Sequence, residues 1–96
     1  MKENYKILFV GDCSIWSSRA AEFLGTIFQT VTTIFWEHGM PPPIDIGSWQ
    51  GDWIISFKSD VILTSETIGN AKLGAINFHP APPKYRGIGG YYYAVD

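Results

Sequence analysis

Cysteine is nearly absent from this 96-residue chain. Cys13 stands alone, which excludes an internal disulfide and a cysteine-built metal site; no metal site is expected. A basic excess is also missing. The 7 Lys and Arg residues face 9 Asp and Glu, for a net charge of -2. That balance argues against a protein that holds DNA or RNA by its phosphates. Long apolar runs are missing too. The longest stretch of aliphatic and phenylalanine residues, Ile7 to Val10, is four residues, so no segment is long enough to span a bilayer and no membrane partner is expected. The N-terminus, Met1-Lys2-Glu3-Asn4-Tyr5-Lys6, has no signal-peptide h-region followed by a cleavage site. A reducing, cytoplasmic setting is the default. No internal repeat and no low-complexity linker divides the chain, and residues 1–96 read as one domain or part of one.

What is present is a folding composition. Hydrophobic residues make up 46% of the chain against 17% charged, which excludes a disordered tail. Lys6-Ile7-Leu8-Phe9-Val10 is an almost continuous apolar run and reads as a strand buried on both faces. Ser14, Ser17 and Ser18 favour a helix start. Ala20, Phe23, Leu24, Ile27 and Phe28 then recur at helical spacing and predict one apolar face. Thr30 to Trp36 is β-branched and aromatic, a second strand. His38 to Pro43 is irregular because consecutive prolines cannot donate to a ladder. Residues 44–51 read as loop or a short turn. Asp52 to Phe57 is a third strand. Thr64-Ser65-Glu66 starts a short helix expected to stop near Gly74. Ala75 to Phe78 is a fourth strand. Prolines and glycines make 80–90 a loop, and Tyr91 to Asp96 looks like the opening of a helix. Strands alternating with helices predict an α/β fold, a Rossmann-like parallel sheet with flanking helices. The last strand has no covering helix after it, so the fold is expected to be incomplete at its C-terminus.

The turn after the first strand, Gly11-Asp12-Cys13-Ser14, carries neither G-x-G-x-x-G nor a phosphate-loop pattern. It reads as a plain strand-to-helix turn, with Cys13 a small turn residue. His38 reads as a loop residue in solvent. Trp36, Trp49, Trp53 and Phe57 read as core. The informative stretch is Ala75-Ile76-Asn77-Phe78-His79-Pro80. Alternation along a strand puts Asn77 and His79 on one face, and Pro80 ends the strand, so the pair stands at a carboxyl end. Open α/β sheets bind ligands at that end. An amide donor beside a histidine can stabilise an oxyanion and move a proton in acyl transfer. The same spacing also suits a structural Asn beside a partly buried His.

The string Ile76-Asn77-Phe78-His79-Pro80-Ala81-Pro82-Pro83-Lys84-Tyr85-Arg86-Gly87 resembles the active-site segment of the folate-dependent formyltransferase family, of the methionyl-tRNA formyltransferase, glycinamide ribonucleotide transformylase and sugar N-formyltransferase type. Its hallmark is Asn-x-His followed by a proline-containing loop and often Tyr-Arg-Gly. Trp53 to Phe57 with Ile62-Leu63 is similar to that family as well. The resemblance implies a partial formyltransferase N-terminal domain over 1–96 and transfer of a formyl group from 10-formyltetrahydrofolate to an amine. Asn77 would hold the formyl oxygen as it becomes an oxyanion, and His79 would assist proton transfer from the amine. The folate-binding part would lie around Phe57, Lys58, Ser59 and Asp60, and the acceptor would meet Tyr85, Arg86 and Gly87.

The family's third catalytic member is an Asp several tens of residues beyond the His. The sequence continues 17 residues past His79, to Asp96, so that Asp is expected to be missing and the 96 residues alone to be inactive. Pro80-Ala81-Pro82-Pro83 and the acidic charge favour a small-molecule amine over tRNA, first a nucleotide-linked amino sugar. Homo-oligomerisation is left open. Two other readings stand beside this one: a formyltetrahydrofolate hydrolase of the same fold, and a non-catalytic remnant or binding domain.

Overall fold

The computed structural model describes residues 2–41, 46–59, 61, 63–78 and, for the backbone, 92–95. The chain runs β1 (Glu3–Gly11), α1 (Ile15–Ile27), β2 (Phe28–Phe35), a 3-10 turn (Ile46–Ser48), β3 (Gly51–Phe57), α2 (Ser65–Gly69), β4 (Ala71–Phe78) and β5 (Tyr92–Val95). The strands form one sheet in the order β2-β1-β3-β4-β5. β2, β1, β3 and β4 are mutually parallel, which is the expected Rossmann-like arrangement. β5 runs antiparallel to β4. No helix among the described residues is long and apolar enough to cross a membrane.

Burial on both faces explains β1. Ile7, Leu8, Phe9 and Val10 are all fully buried. Each contributes about 2 kcal/mol of hydrophobic stabilisation. Leu8 and Val10 face Ile54, Ala71 and Ala75, packed under the 3-10 turn and α2 through Ile46, Trp49 and Ile68. Phe9 faces the other way, toward α1. The two helices lie on opposite faces because β1 to β2 and β3 to β4 step outward in opposite directions from the centre.

α1 begins where Ser14, in an extended conformation, accepts a hydrogen bond from the Ser17 backbone N–H. It ends without a loop, because Phe28 turns to extended geometry and opens β2. That corrects the helical face predicted through Phe28. Phe23 is also not core, being 64% exposed. Gly11 lets α1 sit close to the sheet: a Cβ there would lie 2.9 Å from the Phe9 ring and 2.9 Å from Ser17 Cβ.

Three further expectations are corrected. α2 stops at Gly69, with Asn70 as its cap, instead of near Gly74. β4 accordingly starts at Ala71, four residues before the predicted Ala75. Gly51 is paired with Ala71 but Trp53 with Gly74, so β4 carries one extra residue in between. Gly74 takes φ +136 at this bulge, a conformation side-chain-bearing residues avoid. Finally, Tyr92 to Val95 is a strand and not the start of a helix. The predicted 80–90 loop lies outside the described residues, as do residues 42–45.

Between α1 and the β3–β4 half of the sheet runs an apolar groove of about 640 Å³. Phe23 and Leu24 line one side, and Ile55, Phe57, Ile76 and Phe78 the other.

Candidate active site

The carboxyl ends of the strands form two rows. Ile34, Val10, Ser56 and Asn77 are neighbours across β2, β1, β3 and β4. One step further are Phe35, Gly11, Phe57 and Phe78. β1 and β3 are adjacent, yet their connections leave in opposite directions. The crevice above Gly11 and Phe57 is therefore the topological switch point, where sheets of this kind accept ligands.

Asn77 is half-buried one position before the end of β4, opposite the buried Ser56. Alternation places it on the face of Ala75, while Phe78 points to the α1 face. There the Phe78 ring stacks on Phe57 at 5.4 Å and 14°. Phe57 in turn stacks on Phe9 at 6.3 Å. The structure thus puts the Phe57 side chain on the opposite face of the sheet from Asn77.

The turn after β3 is tied directly to the end of β4. Lys58 donates its backbone N–H to the Phe78 carbonyl at 3.0 Å. Its φ is +52, a left-handed conformation at a bend just past the end of β3. Ser59 is buried, and its hydroxyl accepts the Val61 N–H at 3.0 Å. Ser59 therefore shapes the turn, while the half-exposed Lys58 side chain supplies a positive charge beside the crevice. Of the residues singled out from the sequence, Asn77, Phe57, Lys58 and Ser59 converge on this edge. Asp60, His79, Tyr85, Arg86 and Gly87 lie outside the described residues.

Asp12 is the residue that the sequence reading passed over. Its Oδ1 accepts hydrogen bonds from Ser14 Oγ at 2.6 Å, Ser17 Oγ at 2.6 Å and the Ser14 N–H at 3.1 Å. Loss of hydration alone would raise its pKa. The Ser14 and Ser17 hydrogen bonds and the charge of Lys58 outweigh that and hold the carboxyl below its ordinary value. The signal was present as Asp12-x-Ser14-x-x-Ser17, an acceptor placed just before a helix start rich in hydroxyls. Cys13 is exposed, and its N–H donates to Glu37 Oε1 at 3.1 Å. Desolvation, then the charges of Glu37 and Asp12, push its thiol pKa up. A thiol held protonated is a poor nucleophile, in keeping with a turn residue. His38 is exposed and packs edge-on to Trp36 at 5.5 Å.

Comparison with family models, curated proteins and solved structures gives no match. The site is read from its own residues. At the carboxyl edge the chain offers an amide on β4, a lysine on the turn beside it, and a carboxylate committed to holding the start of α1. The amide can donate to a developing negative charge. The lysine can attract an anionic group. Asp12 is already engaged by two serines and organises the edge.

Proposed function

We propose that this chain carries the Asn77–His79 part of a formyl-transfer site, acting on 10-formyltetrahydrofolate and a small primary amine, with a nucleotide-linked amino sugar as the first choice of acceptor. The observation that carries the reading is the position of Asn77. The run Asn77-Phe78-His79-Pro80 begins at the carboxyl end of a parallel strand, against the strand that borders the switch-point crevice.

The chemistry follows from those two side chains. The amine nitrogen attacks the formyl carbon, and the carbonyl oxygen takes up negative charge. The Asn77 amide N–H stabilises that oxyanion by donating to it. His79 takes the proton that the attacking nitrogen must lose. The carbon–nitrogen bond to the folate then breaks, and a proton returns to the departing nitrogen, giving formamide product and tetrahydrofolate. Lys58, on the turn bonded to the end of β4, supports binding of an anionic part of the donor. The predicted roles of Tyr85, Arg86 and Gly87 toward the acceptor belong to the same proposal.

The test is His79→Ala in the full protein. Turnover is expected to fall by roughly 100-fold to 10,000-fold, the usual contribution of a proton-transfer group. Folate affinity and melting temperature are expected to hold, because a group that only moves a proton contributes neither to the core nor to holding the donor. A sharp loss of melting temperature together with folate binding identifies His79 as structural and refutes the role. Formate release by the wild-type protein without any amine, with no transfer product, identifies a hydrolase instead.

A further inference from the structure

We infer that the edge of β2 is a homodimer interface, at which two copies of this chain join their sheets antiparallel through Phe28–Phe35. β2 ends the strand order and is hydrogen-bonded to β1 alone among the described strands. The Trp36 N–H donates to the Gly11 carbonyl, so the even-numbered positions of this segment turn their amides toward β1. By alternation, Gln29, Val31, Thr33 and Phe35 direct theirs outward.

Edge strands of this length usually carry a device that prevents pairing: a charged residue, a proline, a bulge or brevity. β2 itself has none of them; the one register shift in its ladder with β1 puts the extra residue in β1, between Glu3 and Lys6. Its eight residues, Phe28-Gln29-Thr30-Val31-Thr32-Thr33-Ile34-Phe35, include no charge, no proline and no glycine. Four are β-branched threonine or valine at 30–33, which suit a pleated edge. The opposite edge, β5, is half as long at four residues.

The occupant is a second copy because the edge is self-complementary. A foreign strand is commonly chosen by complementary charge, and the eight residues of this strand carry none. A copy meets it with no like-charge pair anywhere along the eight residues. Residues opposite one another in an antiparallel pair share a face, so the sum of their numbers is even. The two-fold axis therefore passes through Val31 or Thr32, not between them. Either way Thr32 meets Thr32 or Thr30 of the other copy. The pairing uses up both β2 edges, so it closes at two copies and forms no open fibre.

The experiment measures mass by sedimentation across a concentration series for the wild type, Thr32→Lys, Thr32→Glu and an equimolar mixture of the two variants. Thr32 is exposed, so both variants are expected to fold, and circular dichroism checks this. The wild type is expected to dimerise. Each variant alone should bind itself at least about tenfold more weakly, because like charges stand directly opposite with the axis at Thr32, or on the neighbouring diagonal with the axis at Val31. The mixture should recover the dimer. Amide exchange should protect Val31 and Thr33 in the wild type and not in Thr32→Lys. A wild type that stays monomeric, a dimer indifferent to Thr32→Lys, or a mixture that fails to recover overturns the inference.

Discussion

Removing the Asp12 carboxylate by Asp12→Ala strips one oxygen that accepts three hydrogen bonds. The bond that matters most comes from Ser17, whose side chain is fully buried. Without Asp12, that hydroxyl has lost its acceptor, a loss of about 1–3 kcal/mol. Ser14 is less enclosed and can turn to water, so its contribution is smaller. The Lys58 attraction crosses solvent and adds well under about 1 kcal/mol. The sum is about 2 kcal/mol, or a fall in melting temperature of about 10 °C for a domain of this size. Ser17→Ala removes the same bond from the other side and should cost about 1 kcal/mol, since the half-exposed Asp12 can be rehydrated. The double variant should then cost about 2 kcal/mol and not 3, a coupling of about 1 kcal/mol. Urea unfolding of the four proteins measures this. Additive costs, with coupling of only a few tenths of a kcal/mol, would refute the reasoning.

The pH dependence has a definite sign. Asp12 has a lowered pKa in the folded state, so its charged form stabilises the fold above the unfolded carboxylate range. The penalty of Asp12→Ala is therefore full at neutral pH and shrinks as pH falls below about 4, through the folded value. Two further outcomes are expected from the packing. Gly11→Ala should destabilise by roughly 1–3 kcal/mol, because the new methyl lands 2.9 Å from both the buried Phe9 ring and Ser17, and thermal melting checks it. Thr64→Ala removes the hydroxyl that accepts the Thr67 N–H at 3.1 Å and should cost about 1 kcal/mol in urea unfolding.

Local pattern was enough wherever a segment's own residues determine its state. The run Ile7 to Val10 is apolar on both sides of the backbone, and only a central strand buries both. Ser14 and Thr64 announce helix starts because a short hydroxyl side chain can reach an amide three residues on, wherever the rest of the protein lies. Asn77 and His79 stood out for a local reason too, since alternation and Pro80 locate a strand end without any partner.

The remainder depended on partners that sequence proximity does not reveal. Ala71 to Gly74 is poor strand material, yet pairing with Gly51 and Trp53 recruits it, and Gly74 absorbs the bulge that results. Phe28 fits the helical stripe by spacing, but the ladder with β1 claims it for β2. Phe57 fits a turn-side ligand position by number, while stacking on Phe9 and Phe78 draws its ring to the face away from Asn77. Asp12 looked like an ordinary turn residue until α1 brought the buried Ser17 hydroxyl within 2.6 Å of its carboxylate. In each of these cases the deciding energy is a contact between residues of different elements, and no single segment carries it alone.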